Sequence, residues 1–237
     1  MPSRWLTADR LLVIAHRGAS ASAPENTLAA FRLAAEQGAD AIELDVRRTH
    51  DDRLVVIHDE RVDRTSDGRG LVAEMMAEAA RRVDAGGWFA PSFAGERIPL
   101  LTEVLEAARG RLLVDIELKE SDLDELVIAA VREAGMDDAV LLTSFQPQAL
   151  RAPAAQNLPV GLLFDQGNVD QALEIDATVA LPRLDLLSGD LVARCRSRGV
   201  RVIPWTARTE VQVRRAVDLG ADGVIADDPL LVRRIIG

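Results

Sequence analysis

Two histidines, three carboxylates and two cations stand in this chain at spacings that could cleave a phosphate ester. They occur as His16-Arg17-Gly18, Glu43-Leu44-Asp45, His58-Asp59 and Glu117-Leu118-Lys119. Along a β-strand, residues i and i+2 share a face about 7 Å apart. Glu43 and Asp45 therefore point one way, and so do Glu117 and Lys119. Their neighbours Ile42, Leu44, Ile116 and Leu118 take the opposite face and can be buried against helices. Charges that face inward from core strands are costly unless they are paired or hold a metal, which marks this pattern as a site.

Glu43, Asp45 and Glu117 offer oxygen ligands and no thiolate, a set that suits Mg²⁺ or Ca²⁺ better than Zn²⁺. The alternative is a structural network in which they pair with Arg17, Arg47 and Lys119. Arg17 and Lys119 can hold the non-bridging oxygens of a phosphate, the first bidentately and the second as a point charge. Imidazoles titrate near neutrality, so His16 and His58 can divide the roles of general base and general acid. His50, followed by Asp51-Asp52, reads as a solvated turn residue. Together these groups suit phosphodiester cleavage, in which the pentacoordinate species needs charge stabilisation, the attacking hydroxyl a base and the leaving alcohol an acid. No Gly-rich loop with Lys-Ser/Thr is present, which weakens a nucleotide-triphosphatase reading. Gly-x-Ser-x-Gly is absent too, and Cys195 has no histidine partner in sequence, so serine or cysteine nucleophiles are poorly supported.

The elements that must position these groups alternate along the chain. Apolar β-like runs fall at 11–15, 41–46, 112–118, 139–143, 160–164, 177–181, 200–205 and 223–226, the number that a (β/α)8 TIM barrel requires. Amphipathic segments lie at 26–37, 101–108, 123–134, 148–155, 169–174, 189–197, 210–219 and 229–235, with apolar spacing near the helical period. Gly38-Ala39-Asp40-Ala41-Ile42 and Gly220-Ala221-Asp222-Gly223-Val224 are near-copies of one helix-to-strand joint. The interval 49–99 is longer than a simple connection needs. Within it, 53–57 reads as a short strand carrying His58 back toward the site. Residues 59–99 read as a lid-like insertion over the mouth, with a helical patch at 72–82.

At 237 residues the chain reads as one α/β domain spanning 1–237. A net charge of −10 argues against a nucleic-acid partner. A lone cysteine, no secretory leader pattern at the N-terminus and no window of 18 uncharged apolar residues lead us to expect a cytoplasmic protein without a membrane span.

The ordered motifs resemble the glycerophosphodiester phosphodiesterase family. They are Ala15-His16-Arg17-Gly18-Ala19, Pro24-Glu25-Asn26-Thr27, Ala30-Phe31, the run from Gly38 to Val46, Val55-Val56-Ile57-His58-Asp59, Arg64-Thr65 with Gly68 and Gly70, Ile98-Pro99-Leu100-Leu101, Glu117-Leu118-Lys119, Ser144-Phe145, Trp205-Thr206, and the segment from Gly220 to Pro229. The resemblance implies a TIM-type barrel that hydrolyses glycerophosphodiesters to glycerol 3-phosphate and an alcohol, through a cyclic phosphate in similar enzymes. It makes His16 and His58 the acid/base pair, Glu43, Asp45 and Glu117 the ligands of one divalent cation, Mg²⁺ or Ca²⁺, and Arg17 and Lys119 the phosphate contacts. Trp205 either walls the glycerol pocket or simply packs. Asn26 or Thr27 is able to cap the first barrel helix, and capping accounts for both. The chain departs from many relatives in placing Ala207-Arg208 after Trp-Thr, which puts a new cation near the mouth, and in Asp52. The insertion shows no strong aromatic or apolar face, which favours a soluble headgroup diester. Lysophospholipase D-like cleavage of lipid diesters, or a non-catalytic barrel that binds phosphate esters, are the competing readings.

Overall fold

Parallel strands form the ring that the sequence pattern requires. In the computed structural model, which describes residues 3–166 and 169–237, they are β1 (Leu12–His16), β2 (Ala41–Arg48), β4 (Leu113–Leu118), β5 (Val140–Ser144), β6 (Val160–Phe164), β7 (Val179–Pro182), β8 (Arg201–Val202) and β9 (Gly223–Ala226). Ladders join them in the order β8-β7-β6-β5-β4-β2-β1-β9. The seam between β8 and β9 is spanned by single bonds, Asp222 N–H to Val202 O (2.8 Å), Ile225 N–H to Pro204 O (3.1 Å) and Ala207 N–H to Ile225 O (2.9 Å). The expected strand at 200–205 is therefore a ladder of only two residues. Pro204 has no N–H to give, and the chain beyond it pairs through isolated contacts.

The helices that follow these strands supply the outer layer: α2 (Leu28–Glu36), α4 (Leu101–Ala108), α5 (Asp124–Glu133), α6 (Arg151–Ala155), α7 (Asp170–Glu174), α8 (Gly189–Arg196), α9 (Glu210–Asp218) and α10 (Pro229–Ile236). Their apolar stripes and the outward faces of the strands make one continuous core in which Ile14, Ile42, Leu44, Ile116, Leu141 and Leu142 are fully buried. Thr209 and Gln212 form a reciprocal capping box on α9. In both repeated helix-to-strand joints an Asp side chain accepts a backbone N–H, Asp40 that of Val13 and Asp222 that of Val202. That role explains why the two joints share a sequence.

The interval after β2 folds back as β3 (Leu54–Val56), antiparallel to β2 with Val46 opposite Val56. It leads into a separate small apolar cluster of Val55, Ile57, Val62, Val72, Ala85 and Ile98. The helical patch expected at 72–82 divides into a single 3-10 turn at Val72–Glu74 and a short helix α3 (Ala77–Ala80). The insertion also carries more aromatic surface than its sequence suggests. A 3-10 turn at Pro91–Phe93 brings Phe93 edge-on to Phe89, which in turn stands edge-on to Trp88 (both pairs 5.7 Å between centroids), and Trp88 is 43% exposed.

A short N-terminal helix, α1 (Arg4–Thr7), has no counterpart in the sequence reading, because four residues carry no period. It is held by Trp5, which is fully buried and donates its Nε1–H to Ala139 O (2.9 Å) just before β5. Arg201 Nη1 in turn donates to the carbonyls of Trp5 (3.1 Å) and Ala8 (2.9 Å). Truncating a buried aromatic leaves a cavity, so Trp5→Ala should lower unfolding free energy by about 3–5 kcal/mol. Chemical denaturation would measure it, and a loss below about 1 kcal/mol would show that α1 contributes little to the barrel.

Candidate active site

The site is built at the C-terminal ends of β1, β2 and β4. Register places His16 beside Glu43, Glu43 beside Asp115 and Asp45 beside Glu117. The alternation argument thus holds, and it brings a fourth carboxylate, Asp115, into the barrel below Glu117. Asp115 has the same strand parity as Glu117 and Lys119, which is the signal the sequence offered for it. It is 1% exposed and accepts a hydrogen bond from Thr143 Oγ1 at 2.6 Å.

Between β1 and α2 the chain makes a tight left-handed turn. Arg17 (φ 56°), Gly18 (φ 84°) and Asn26 (φ 57°) all have positive φ. A Cβ on Gly18 would lie 2.6 Å from that of Ala30, so only glycine lets the loop lie against α2. The turn aims the Arg17 backbone N–H at Glu43 Oε2 (2.9 Å). Thr27 caps α2 by accepting from the Ala30 N–H. Of the two capping candidates, Thr27 takes the role and Asn26 does not. Its Nδ2 donates to Asp45 Oδ2 at 2.7 Å, because the left-handed backbone swings the side chain inward.

Glu43, Asp45 and Glu117 are all buried, and one oxygen from each lies within 4.8 Å of the others. Lys119 Nζ stands 2.5 Å from Glu117 Oε1 and 2.8 Å from Asp45 Oδ1, while Arg17 Nε lies 3.2 Å from Asp45 Oδ2. Asp45 Oδ1 nevertheless has no hydrogen bond of acceptable angle. That underused buried oxygen, set among oxygen-only donors, fits a hard divalent cation. The protonation balance agrees. Burial and the neighbouring carboxylates of Asp45, Glu117 and Asp115 push Glu43 well above the ordinary carboxylate range. Burial, with the charge of Asp45, pushes Glu117 up to about 7. Burial likewise pushes Asp115 up to about 8, with the charges of Glu117 and Asp45 adding to it. Burial would also raise Asp45, but Lys119 and Arg17 outweigh it and hold that group well below the ordinary value.

Each imidazole has its own aspartate. His16 Nδ1–H donates to Asp227 Oδ1 and His58 Nδ1–H to Asp59 Oδ1, both at 2.6 Å. These bonds fix the ring tautomers and leave Nε2 of each ring for proton transfer. Arg208, the cation expected near the mouth, donates to Asp227 Oδ2 at 2.8 Å. Burial would raise Asp227, yet the bond to His16 and the Arg208 charge hold it below its ordinary value. The hydrogen bonds from Arg64 pull Asp59 down to about 2 against the effect of burial. Burial lowers His58, with Lys119 and Arg17 adding to the effect, which favours a neutral ring. His50, by contrast, is exposed in a turn and does not line the cavity described next, as its sequence suggested.

These groups surround one cavity of about 230 Å³ lined by His16, Arg17, Glu43, His58, Asp115, Glu117 and Lys119 on one side. Its other side is Phe145, Leu163, Trp205 and Ile225. Phe145 and Trp205 meet edge to face with centroids 5.3 Å apart, and the Trp205 Nε1–H donates to Leu181 O (2.8 Å), which pins the indole as a wall. Trp205 therefore both packs and faces the cavity. Asp227, Asn26, Glu25 and Arg64 hold these groups from outside the cavity lining, Asp227 from 211 positions along the chain from His16.

Comparison with known proteins is consistent across the whole domain. The family model for the glycerophosphoryl diester phosphodiesterase family matches residues 16–231. A glycerophosphodiester phosphodiesterase of Caldanaerobacter subterraneus is 42% identical over 93% of this chain and 95% of its own. Among solved structures, a glycerophosphodiester phosphodiesterase from Agrobacterium tumefaciens superposes with a TM-score of 0.85 at 33% identity, covering 94% of this chain and 99% of that one. A phosphodiesterase from Oleispira antarctica, solved with the product sn-glycerol 3-phosphate, has a TM-score of 0.86 at 29% identity, covering 95% and 96%. Among the described residues, no helix is long and apolar enough to cross a membrane.

The raised carboxyls give the metal-free protein a pH signature. A group whose folded pKa lies above its unfolded value contributes stability that is complete below the unfolded value and is lost as pH rises through the folded one. For Asp115 that window runs from 3.8 to about 8, and for Glu117 from 4.5 to about 7. Asp45 and Asp227 are shifted downward and act at more acid pH, outside this window, while the lowered His58 opposes the trend only below its ordinary value of 6.5. Thermal melting in chelator should therefore show Tm falling from about pH 5 to pH 8, with a shallower fall in Asp115→Asn. Divalent-cation affinity should climb over the same range as the ligands shed protons. A metal affinity that is flat across it would contradict the carboxylate assignment.

Proposed function

Since this chain belongs to the glycerophosphoryl diester phosphodiesterase family, and is therefore a glycerophosphodiester phosphodiesterase, we propose that it releases sn-glycerol 3-phosphate and an alcohol by metal-dependent acid/base hydrolysis at the β1–β2–β4 site. The observation that carries this reading is the pair of Asp-tethered imidazoles on one cavity with the carboxylate cluster and two cations. The product bound to the Oleispira antarctica relative has the chemistry such a cavity would hold.

Glu43, Asp45 and Glu117 would hold one divalent cation, Mg²⁺ or Ca²⁺, since all their donors are carboxylate oxygens. When bound, such an ion supplies charge stabilisation for the developing negative charge on phosphorus oxygens. Arg17 and Lys119 would bind non-bridging phosphate oxygens. Both already stand among the carboxylates, Arg17 through its left-handed turn and Lys119 at the end of β4. His16 and His58 would share the proton work through their Nε2 atoms: one ring takes the proton of the attacking hydroxyl, and the other delivers a proton to the departing alkoxide. Phe145, Trp205 and Leu163 would receive the carbon face of the glycerol and exclude water from that side. A small insertion at 59–99, entered directly after His58, would frame the mouth by supplying Asp59 and Arg64 from its first residues.

Steady-state turnover of His16→Ala and His58→Ala tests the acid/base reading. Each should lower kcat by about 10²–10⁴-fold, with divalent-cation affinity unchanged because neither ring is a ligand. His50→Ala should match the unaltered protein. One of the two variants should recover most of its loss on a diester with a nitrophenol leaving group, which departs without a proton. Full turnover of either alanine variant on a glycerophosphodiester would remove that ring from the mechanism. Chelator should abolish activity and Mg²⁺ or Ca²⁺ restore it, and full activity in excess chelator would rule out metal dependence.

A further inference from the structure

Arg64 lies outside the cavity lining, in the insertion, yet one guanidinium there is tied to both sides of the site. Its Nε donates to Asp59 Oδ2 (2.6 Å) and its Nη2 to Asp59 Oδ1 (3.0 Å). The same Nη2 donates to Glu25 Oε1 (2.8 Å), and Nη1 donates to Glu25 Oε2 (3.0 Å). Asp59 Oδ1 is also the acceptor for His58 Nδ1, and Glu25 Oε1 is the acceptor for Arg17 Nη1 (2.8 Å). An unbroken chain of charge-assisted bonds thus runs from Arg17 through Glu25, Arg64 and Asp59 to His58. It links the loop after β1 to the segment after β3.

The loop that presents Arg64 is built to hold still. Arg61 pairs with Leu71 across it, Val62 N–H donates to Gly70 O (3.1 Å), and Gly70 N–H donates to Asp63 Oδ2 (2.9 Å). Val62 and Val72 anchor its two ends in the small apolar cluster. Gly68 has no room for a side chain, since a Cβ would lie 2.5 Å from Val83 Cγ1. Ser66 Oγ donates to Val62 O (2.7 Å) and closes the loop internally. Arg64 itself is half exposed, and isolated exposed ion pairs contribute little to stability. A doubly bidentate arginine fixes direction as well as charge, and direction is what a proton-transferring ring and a phosphate-binding guanidinium need.

We propose that Arg64 is a positioning residue that sets the orientation of His58 and Arg17 together, so that the insertion acts on the reaction through this side chain. The inference rests on the roles proposed above for His58 and Arg17. Lysine at this position keeps the charge but lacks the planar fork, and cannot bind both carboxylates bidentately.

The test uses metal-loaded enzyme and three readouts: kcat and KM on a glycerophosphodiester, the Kd of sn-glycerol 3-phosphate by calorimetry, and Tm. Arg64→Ala should reduce kcat by up to about 10²-fold, the scale on which an ångström of misplacement acts. It should weaken sn-glycerol 3-phosphate binding as Arg17 loses its alignment, while the protein stays folded. Arg64→Lys should remain impaired in both. Double variants should show the coupling: adding Glu25→Gln or Asp59→Asn to Arg64→Ala should cost much less than the product of the single losses, because coupled groups are not additive. Kinetics and Kd within about twofold of the unaltered protein in Arg64→Ala would overturn the inference. So would full rescue by lysine, or independent multiplicative losses. If Arg17→Ala and His58→Ala themselves keep full turnover, the functional reading above fails. If they are crippled and Arg64→Ala is not, only the present inference fails.

Discussion

Four carboxylates on two neighbouring parallel strands are the constraint around which the rest of the structure is arranged. Glu43 lies beside Asp115 and Asp45 beside Glu117, all of them 8% exposed or less. Like charges placed directly together across a sheet are destabilising, and burial multiplies the penalty. The structure answers with different means at each position. Asp45 stays ionised by leaning on Lys119, Arg17 and Asn26. Asp115 is pushed up to about 8 by burial, with Thr143 donating to its Oδ1. Glu43 and Glu117 are pushed upward by burial and by their neighbouring carboxylates, and a divalent cation would relieve that repulsion. The left-handed turn at Arg17, the glycine that permits it, and the inward swing of Asn26 all serve this compensation.

The histidines follow from the same arrangement at the next radius outward. They are too exposed to be held by packing alone, with side-chain exposures of 16% and 35%. Each is oriented by an aspartate, and each aspartate by an arginine, Arg208 on one side and Arg64 on the other. The two supports are not equivalent. Arg208 reaches Asp227 through one nitrogen and is 63% exposed, whereas Arg64 engages two carboxylates with its whole fork. The insertion therefore reinforces one of the two imidazoles, while the other depends on the end of the barrel seam.

Much of this was legible in the sequence, for a reason that also explains what was not. Strand alternation encodes the face a residue occupies, so Glu43, Asp45, Glu117 and Lys119 could be assigned to the interior before any fold was known. Alternation would have given Asp115 as well, two residues before Glu117. Partners are another matter. Asp227 is 211 positions from His16, and no local period links them. Asn26 presented a capping sequence and was diverted by a backbone conformation that capping statistics do not favour. Trp88, Phe89 and Phe93 became a cluster only through a 3-10 turn too short to carry a signature. The barrel was legible because its repeats are local. The partners of its site residues come together where the ends of the repeats converge.

The charge balance of the site also resolves how an acidic protein can accept an anion. With a net charge of −10 the surface as a whole repels phosphate, but at physiological salt such fields are screened within about 8 Å. Only the cavity then matters. Glu43, Asp45 and Glu117, when all ionised, outnumber Arg17 and Lys119 by one negative charge, and Asp115 adds none while it keeps its proton. A divalent cation among the three carboxylates would reverse the local sign to one net positive charge, the complement of a singly charged phosphodiester. Binding order follows from that arithmetic. Without the cation the cavity would be a poor host for a phosphodiester, and with it the anion would neutralise the cavity.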